Sequence, residues 1–219
     1  MPFPDLPPLE ARILGCLLEK ERTTPENYPL SLNGLVAACN QTTSRDPVTA
    51  YDERTVEAGI GALREKKLVT AIFGSGSRVQ KYRHNLLDHF ELDRGDVAVM
   101  SVLLLRGPQT AGELRNRTER LHHFSTPEEL EACIEGLARG DSPLVKLLPQ
   151  QPGQKERRYI HLLSAEPEGG WQSAPDTPAP PRPARDDSRL ATLEAEVAAL
   201  RQEVAELKSR FTEFKKEFE

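Results

Sequence analysis

The stretch FGSGSRVQKYRHNL (73–86) places a glycine-rich turn beside Arg78, Lys81, Arg83 and His84, with no acid among them. Glycines followed by cations are the raw material of a nucleotide-phosphate cradle. That chemistry needs a strand, a bend whose amides face the phosphate, and a helix that starts at once, usually through Gly-Lys-Ser/Thr. Here the glycines run into a second strand pattern, and neither Lys-Ser nor Lys-Thr follows. The GSGS segment instead reads as the reversal of a β-hairpin, where glycine supplies the positive φ of a tight turn.

Other chemistry-bearing residues form no constellation. His122 and His123 are adjacent, so on a helix they point about 100° apart, and no carboxylate or thiol is expected to complete a metal site with them. Ser, His and Asp residues are scattered without a nucleophile elbow, and the pair Asp186–Asp187 falls in a proline-rich segment. Cys16, Cys39 and Cys133 are far apart and odd in number. They read as core-facing thiols of a reducing cytosol rather than a disulfide framework or a CxxC pair. The expectation is a protein that is not an enzyme, with no catalytic residue, no metal and no cofactor.

Cations without neighbouring acids suit a polyanion better. From Lys66 through Leu87 there are five cations (Lys66, Lys67, Arg78, Lys81 and Arg83) and no carboxylate; residues 27–45 also lack acids and end in NQTTSR. Hydroxyl, amide and guanidinium donors suit phosphate or base-edge contacts. Arg45 is expected at the start of a recognition helix, Arg54 and Arg64 on its groove-facing side, and Arg78, Lys81 and Arg83 on the hairpin. The net charge of −5 does not oppose this. Residues 1–90 carry 11 cations and 11 acids, whereas 166–219 carry 8 and 12, and the local distribution sets a binding face.

The elements that must hold these residues repeat. EARILGCLLEK (10–20) and DVAVMSVLLLR (96–106) are apolar helix patterns, each followed by a short helix, SLNGLVAACN (31–40) or TAGELRNRTERL (110–121). Ser31 and Thr110 stand where an N-cap is wanted. A third helix follows in each half, DERTVEAGIGALREKK (52–67) and STPEELEACIEGLARG (125–140), with Val56, Ile60 and Leu63 matching Leu130, Ile134 and Leu137. Two short strands around a glycine-containing turn come next, with Tyr82 and His84 matching Tyr159 and His161. Three helices and a hairpin, twice, is the order of a winged helix. The second third helix carries Glu128, Glu129, Glu131 and Glu135 against Arg139. That half therefore suits a contact through its hairpin alone (Lys146, Lys155, Arg157, Arg158) or a protein partner.

Residues 166–188 hold six prolines and read as an extended linker. Beyond it, Leu190, Leu193, Val197, Leu200, Val204, Leu207, Phe211, Phe214 and Phe218 alternate spacings of 3 and 4. With Leu190 at position a, this heptad seam puts Leu, Val, Val, Phe and Phe at a and Leu, Leu, Leu and Phe at d, and β-branched a with Leu at d favours a parallel homodimer. Glu196–Arg201 and Glu203–Lys208 attract across such a pair, and Arg210–Lys215 repels. Leu193, Val197, Leu200, Val204 and Leu207 are the expected dimer contacts.

The segment TTPENYPLSLNGLVAACNQTTSRDPV (23–48) resembles the YceH family of bacterial proteins, and GSGSRVQKYRHNL, LLLRGPQTAGELRNRTERL and ERRYIHLL fit it as well. The resemblance covers about residues 8–164 plus a C-terminal helical segment. It implies a tandem winged-helix fold in a cytosolic bacterial protein and brings no activity, ligand or catalytic residue with it. The family pattern carries Lys where this chain has Thr42, which leaves Arg45 as the cation of that turn.

The expected fold is therefore mainly α with small β-hairpins (α+β). Two tandem winged-helix domains (1–90 and 91–165), a linker (166–188) and a coiled-coil helix (189–219) make up the chain. The expected function is a cytoplasmic, dimeric, double-stranded-DNA-binding protein with a transcriptional or chromosome-associated role. The alternative is an adaptor whose winged helices dock other proteins. No apolar run reaches the roughly 18 residues that cross a bilayer, and the N-terminus MPFPDLPPLE lacks the pattern of a secretory signal.

Overall fold

Two helices buried along most of their length form the centre of the core in residues 5–164. A computed structural model describes residues 5–73, 79–150 and 154–164, together with Gln202 and Arg210. Helix α1 (Pro8–Thr23) buries every residue from Glu10 to Leu18, and α5 (Arg94–Arg106) every residue from Val97 to Leu105. In the segment between them, α1 is followed by β1 (Leu30–Ser31), α2 (Leu32–Cys39), α3 (Glu53–Glu65), β2 (Val69–Phe73), β3 (Gln80–His84) and the single turn α4 (Leu86–His89). After α5 come α6 (Ala111–Thr118), α7 (Pro127–Leu137), β4 (Val145–Leu147) and β5 (Tyr159–His161). The architecture is α+β, helices with small antiparallel sheets.

Five helices, α2, α3, α5, α6 and α7, start at a side chain that caps them, whereas α1 starts at Pro8. Ser31 accepts from the Gly34 amide, Asp52 from Thr55 and Thr126 from Glu129. Asp93–Asp96 and Thr110–Glu113 close reciprocal capping boxes, which satisfy amides that have no partner inside the helix.

The repeat is visible in the register. In the first half, β3 is the middle of a three-stranded sheet ordered β1-β3-β2, with Tyr82 opposite Leu30. In the second, β5 pairs with β4 and, at Tyr159, with Gln109. Leu30 and Gln109 each immediately precede the N-cap of the next helix, and the two caps share one conformation: Ser31 at φ −73°, ψ 167° and Thr110 at φ −73°, ψ 163°. The extra strand is a short extended lead-in to a capped helix. Its length hides it from any period-based reading.

The halves expected as separate domains share one continuous core, and residues 5–164 belong to a single unit. Helices α1 and α5 pack against each other directly. A Cβ at Gly15 would lie 2.9 Å from Leu105 Cγ and 3.0 Å from Leu104 Cβ, so glycine is what permits this approach. The Leu6 amide bonds the Leu163 carbonyl at 2.8 Å, and the Asp46 amide bonds the Leu105 carbonyl at 3.0 Å. The expected linker (166–188) and coiled-coil helix (189–219) lie outside the described residues, apart from Gln202 and Arg210, which are helical.

The turn from α2 to α3 is held by buried polar groups. Arg45 is 4% exposed. Its guanidinium donates to Glu19 Oε2 at 2.6 Å and Oε1 at 3.1 Å, to the Ala38 and Ser44 carbonyls at 2.9 Å, and to Gln41 Oε1 at 2.9 Å. Arg12, also 4% exposed, donates to the Pro47 carbonyl at 2.6 Å. The Asn40 side chain takes both backbone groups of Tyr51, at 2.7 and 2.8 Å. Burial opposes the charge on Arg45, but its bond to Glu19 and the neighbouring Cys16 more than offset this and raise its pKa. Removing one member of such a pair leaves the other charged and buried, at a cost of about 3–5 kcal/mol. Arg45→Ala is therefore expected to lower the unfolding free energy by about 3 kcal/mol or more. Arg45→Lys should recover little of it, since an ammonium cannot reproduce the planar fork. Denaturant titration followed by far-UV circular dichroism reads both values, and an Arg45→Ala loss below about 1 kcal/mol would contradict this account.

Candidate nucleic-acid interface

The first hairpin separates its residues by face. Successive side chains on a strand alternate, and on β3 Tyr82 and His84 are buried while Lys81 and Arg83 point the other way. Directly opposite Lys81 stand Ile72 and Ser31, and opposite Arg83 stands Thr70. The outer face of the sheet therefore joins two cations, two hydroxyls and one isoleucine, with no carboxylate in register. Arg83 is exposed and Lys81 half-buried, and about 6.8 Å of strand separates their backbones. Phe73, next to the turn, is 66% exposed. Arg78 and the GSGS turn lie outside the described residues.

Helix α3 presents a mixed face. Val56, Gly59, Ile60 and Leu63 are buried. Arg54 and Arg64 are exposed, about 15 Å apart along the axis, but Glu53, Glu57 and Glu65 are exposed with them. Burial raises the pKa of the Tyr82 hydroxyl, Glu57 adds to the rise and Arg64 opposes it.

Arg45 is not part of either group. The expectation placed its charge at the start of a recognition helix; the structure turns it inward onto Glu19. A sequence stretch free of acids is not acid-free in space, because Glu19 reaches it from 26 residues upstream. Lys66 is likewise held, by Glu10 at 2.7 Å. Thr42 and Thr43 stay exposed on the turn. In the second hairpin, Arg158 is drawn to Glu113 at 2.6 Å, and α7 exposes Glu128, Glu129, Glu131 and Glu135 as its sequence implies. What the sequence reading passed over is a run of arginines in α6 and the turn after it, Arg115, Arg117 and Arg120, with Arg106 at the end of α5. Their spacing within 15 residues was the available signal.

The histidines have separate partners. His123 meets Glu119 at 2.6 Å, and His122 meets Glu129 at 3.9 Å while stacking edge-on to Phe124. Carboxylates are therefore present where none was expected, but a different one for each ring. Among the described residues no group of three His, Cys, Asp or Glu side chains converges as a metal site. Cys16 and Cys39 are buried, and the half-buried Cys133 thiol donates to Asp96 at 3.2 Å.

His84 and His161, equivalent in the repeat, are both buried. Burial lowers the pKa of His84 although Glu21, 3.1 Å away, opposes this. Burial alone pushes His161 down to about 4. Both rings fold neutral, while the unfolded chain takes up their protons from about pH 6.5 downward. The unfolded state binds more protons in that window, so stability is complete above about pH 6.5 and declines as the pH falls toward 4. His161 alone should account for about 3 kcal/mol of that decline. Chemical denaturation at pH 7, 5.5 and 4 should give a slope that His161→Phe substantially flattens; equal slopes would refute the assignment.

Comparison with known proteins adds the following. The family described as "Protein of unknown function, DUF480" matches residues 6–154. A UPF0502 protein of Opitutus terrae is 52% identical over 200 residues, covering 88% of this chain and 84% of the relative. One from Geobacter sulfurreducens is 46% identical over 193 residues, 86% of each. One from Shewanella sp. (strain MR-7) is 51% identical over 159 residues, 71% of this chain and 72% of the relative. A match over more than half of the chain, joined to relatives of this identity and coverage, places the chain in the DUF480 (UPF0502) family of bacterial proteins.

Proposed function

We propose that the chain is a cytoplasmic, non-enzymatic protein whose halves act as tandem winged helices, and that the first binds double-stranded DNA through its hairpin. The observation that carries the reading is the outer face of the β1-β3-β2 sheet, where Lys81 and Arg83 stand in register with Ser31, Thr70 and Ile72 and with no carboxylate. Charge of this kind gives affinity and on-rate without encoding sequence. Arg54 and Arg64 share their face with three glutamates, so α3 supports the hairpin rather than leading it. Arg78 extends the same run of cations in the sequence. Three free thiols suit a reducing cytosol.

Fluorescence anisotropy of the full chain on a duplex oligonucleotide, repeated from about 50 to 200 mM salt, tests this. Binding should weaken steeply with salt, and Lys81→Ala with Arg83→Ala should reduce the log–log slope by about 2. No binding at the lowest salt, or an unchanged slope in the double variant, would overturn the reading. It would leave the adaptor role, for which the exposed glutamates of α7 are the supporting feature.

The heptad seam from Leu190 to Phe218 supports a second part of the proposal, a parallel homodimer through Leu193, Val197, Leu200, Val204 and Leu207. Light scattering should give about twice the mass of one chain, and Leu200→Asp with Leu207→Asp should halve it. A monomeric wild-type chain would end that part.

A further inference from the structure

A small cleft opens where α1, the turn at Ser44, α5 and α6 meet, with room of about 40 Å³. That holds a few waters or one compact oxyanion, with the rest of any ligand left outside. Its wall carries Arg106, Arg117 and Arg120, with hydroxyls from Thr23, Ser44 and Ser101. Ser101 is 0% exposed, and among the described residues its Oγ has no hydrogen-bond partner. Buried polar groups are nearly always satisfied, so this hydroxyl in the wall of the cleft is a donor available to an acceptor bound there.

The charges around the cleft leave positive potential in excess. Glu19 lines it but is held by Arg45 at 2.6 Å. Glu113 reaches Arg117 at 3.5 Å but is itself held by Arg158 at 2.6 Å. Asp46 attracts Arg106 only at a distance, and among the described residues no carboxylate lies within ion-pair reach of Arg106 or Arg120. Burial lowers the pKa of Arg106, and the charges of Arg117 and Arg45 add to the effect. Clustered guanidiniums that disfavour one another are relieved by a shared oxyanion, which accepts from several planar forks at once.

We propose that this cleft binds the phosphate group of a small ligand, with Arg106, Arg117 and Arg120 as its charge partners and Ser101 as a neutral donor. The site is lined by α1, the turn at Ser44, α5 and α6, and it neither requires nor rests on DNA binding by the hairpin.

Calorimetric titration of the full chain with pyrophosphate and with inorganic phosphate, at low ionic strength and without other oxyanions, tests it. Pyrophosphate should bind saturably and more tightly than phosphate. Arg120→Gln should weaken it by about tenfold, Arg106→Gln with Arg120→Gln by more, and Ser101→Ala by about threefold. Arg120 is exposed, so its variant keeps the fold, which circular dichroism verifies. Arg139→Gln, just beyond α7, should change nothing. Absence of binding by both anions, or undiminished affinity in Arg120→Gln, would overturn the proposal. Displacement of pyrophosphate by a duplex oligonucleotide would assign the arginines to a polymer and overturn the small-ligand assignment.

Discussion

The ion pair between Arg45 and Glu19 fixes the first half and joins it to the second. One buried guanidinium satisfies a carboxylate, two backbone carbonyls and a glutamine, most of them partly buried. Without it the buried Ala38 carbonyl would lose this partner, and leaving a buried polar group unmet costs more than the bond itself contributes. The turn that Arg45 closes sets the angle at which α3 leaves α2. It also carries the Asp46 amide to the end of α5 and places Ser44 and Glu19 on the wall of the arginine-lined cleft. A cation that resembles a ligand contact in the sequence is instead the fastener that gives other cations their positions.

The second constraint is the close approach of α1 and α5. Helices packed all round must be covered on every side, and each of these covers the other. Gly15 removes the one side chain that would hold them apart. Because the halves share this layer, separating them would expose the buried apolar residues of both helices. The repeat is thus one of pattern, with two helix-and-hairpin motifs built onto a single core.

Most of the fold was legible because it rests on local rules. The apolar periods of α1, α3, α5 and α7 and the caps at Ser31 and Thr110 are written in consecutive residues. The tyrosine–histidine pairs announced the equivalence of β3 and β5, which the register reproduces. What was not legible depends on residues far apart in the chain. The two-residue β1 exists only because β3 lies beside it. Arg45 is buried because Glu19 comes from another helix. The arginine cleft was hidden because the glutamates of α7 set the apparent charge of that half, although they lie on a different helix from Arg117.

Charge placement also limits what the proposed DNA contact of the first half could do. A hairpin face with Lys81 and Arg83 meets phosphate equally well on any sequence, since such contacts position without specifying. Specificity needs side chains that reach base edges, and α3 offers Arg54 and Arg64 among Glu53, Glu57 and Glu65. Carboxylates on the groove-facing side oppose the approach that the arginines favour. Under the proposed hairpin contact, this balance favours binding that is broad in sequence and steep in salt. If discrimination is added, it has to come from elsewhere in the chain: from the exposed Thr42 and Thr43 on the clamped turn, or from a second copy held close by.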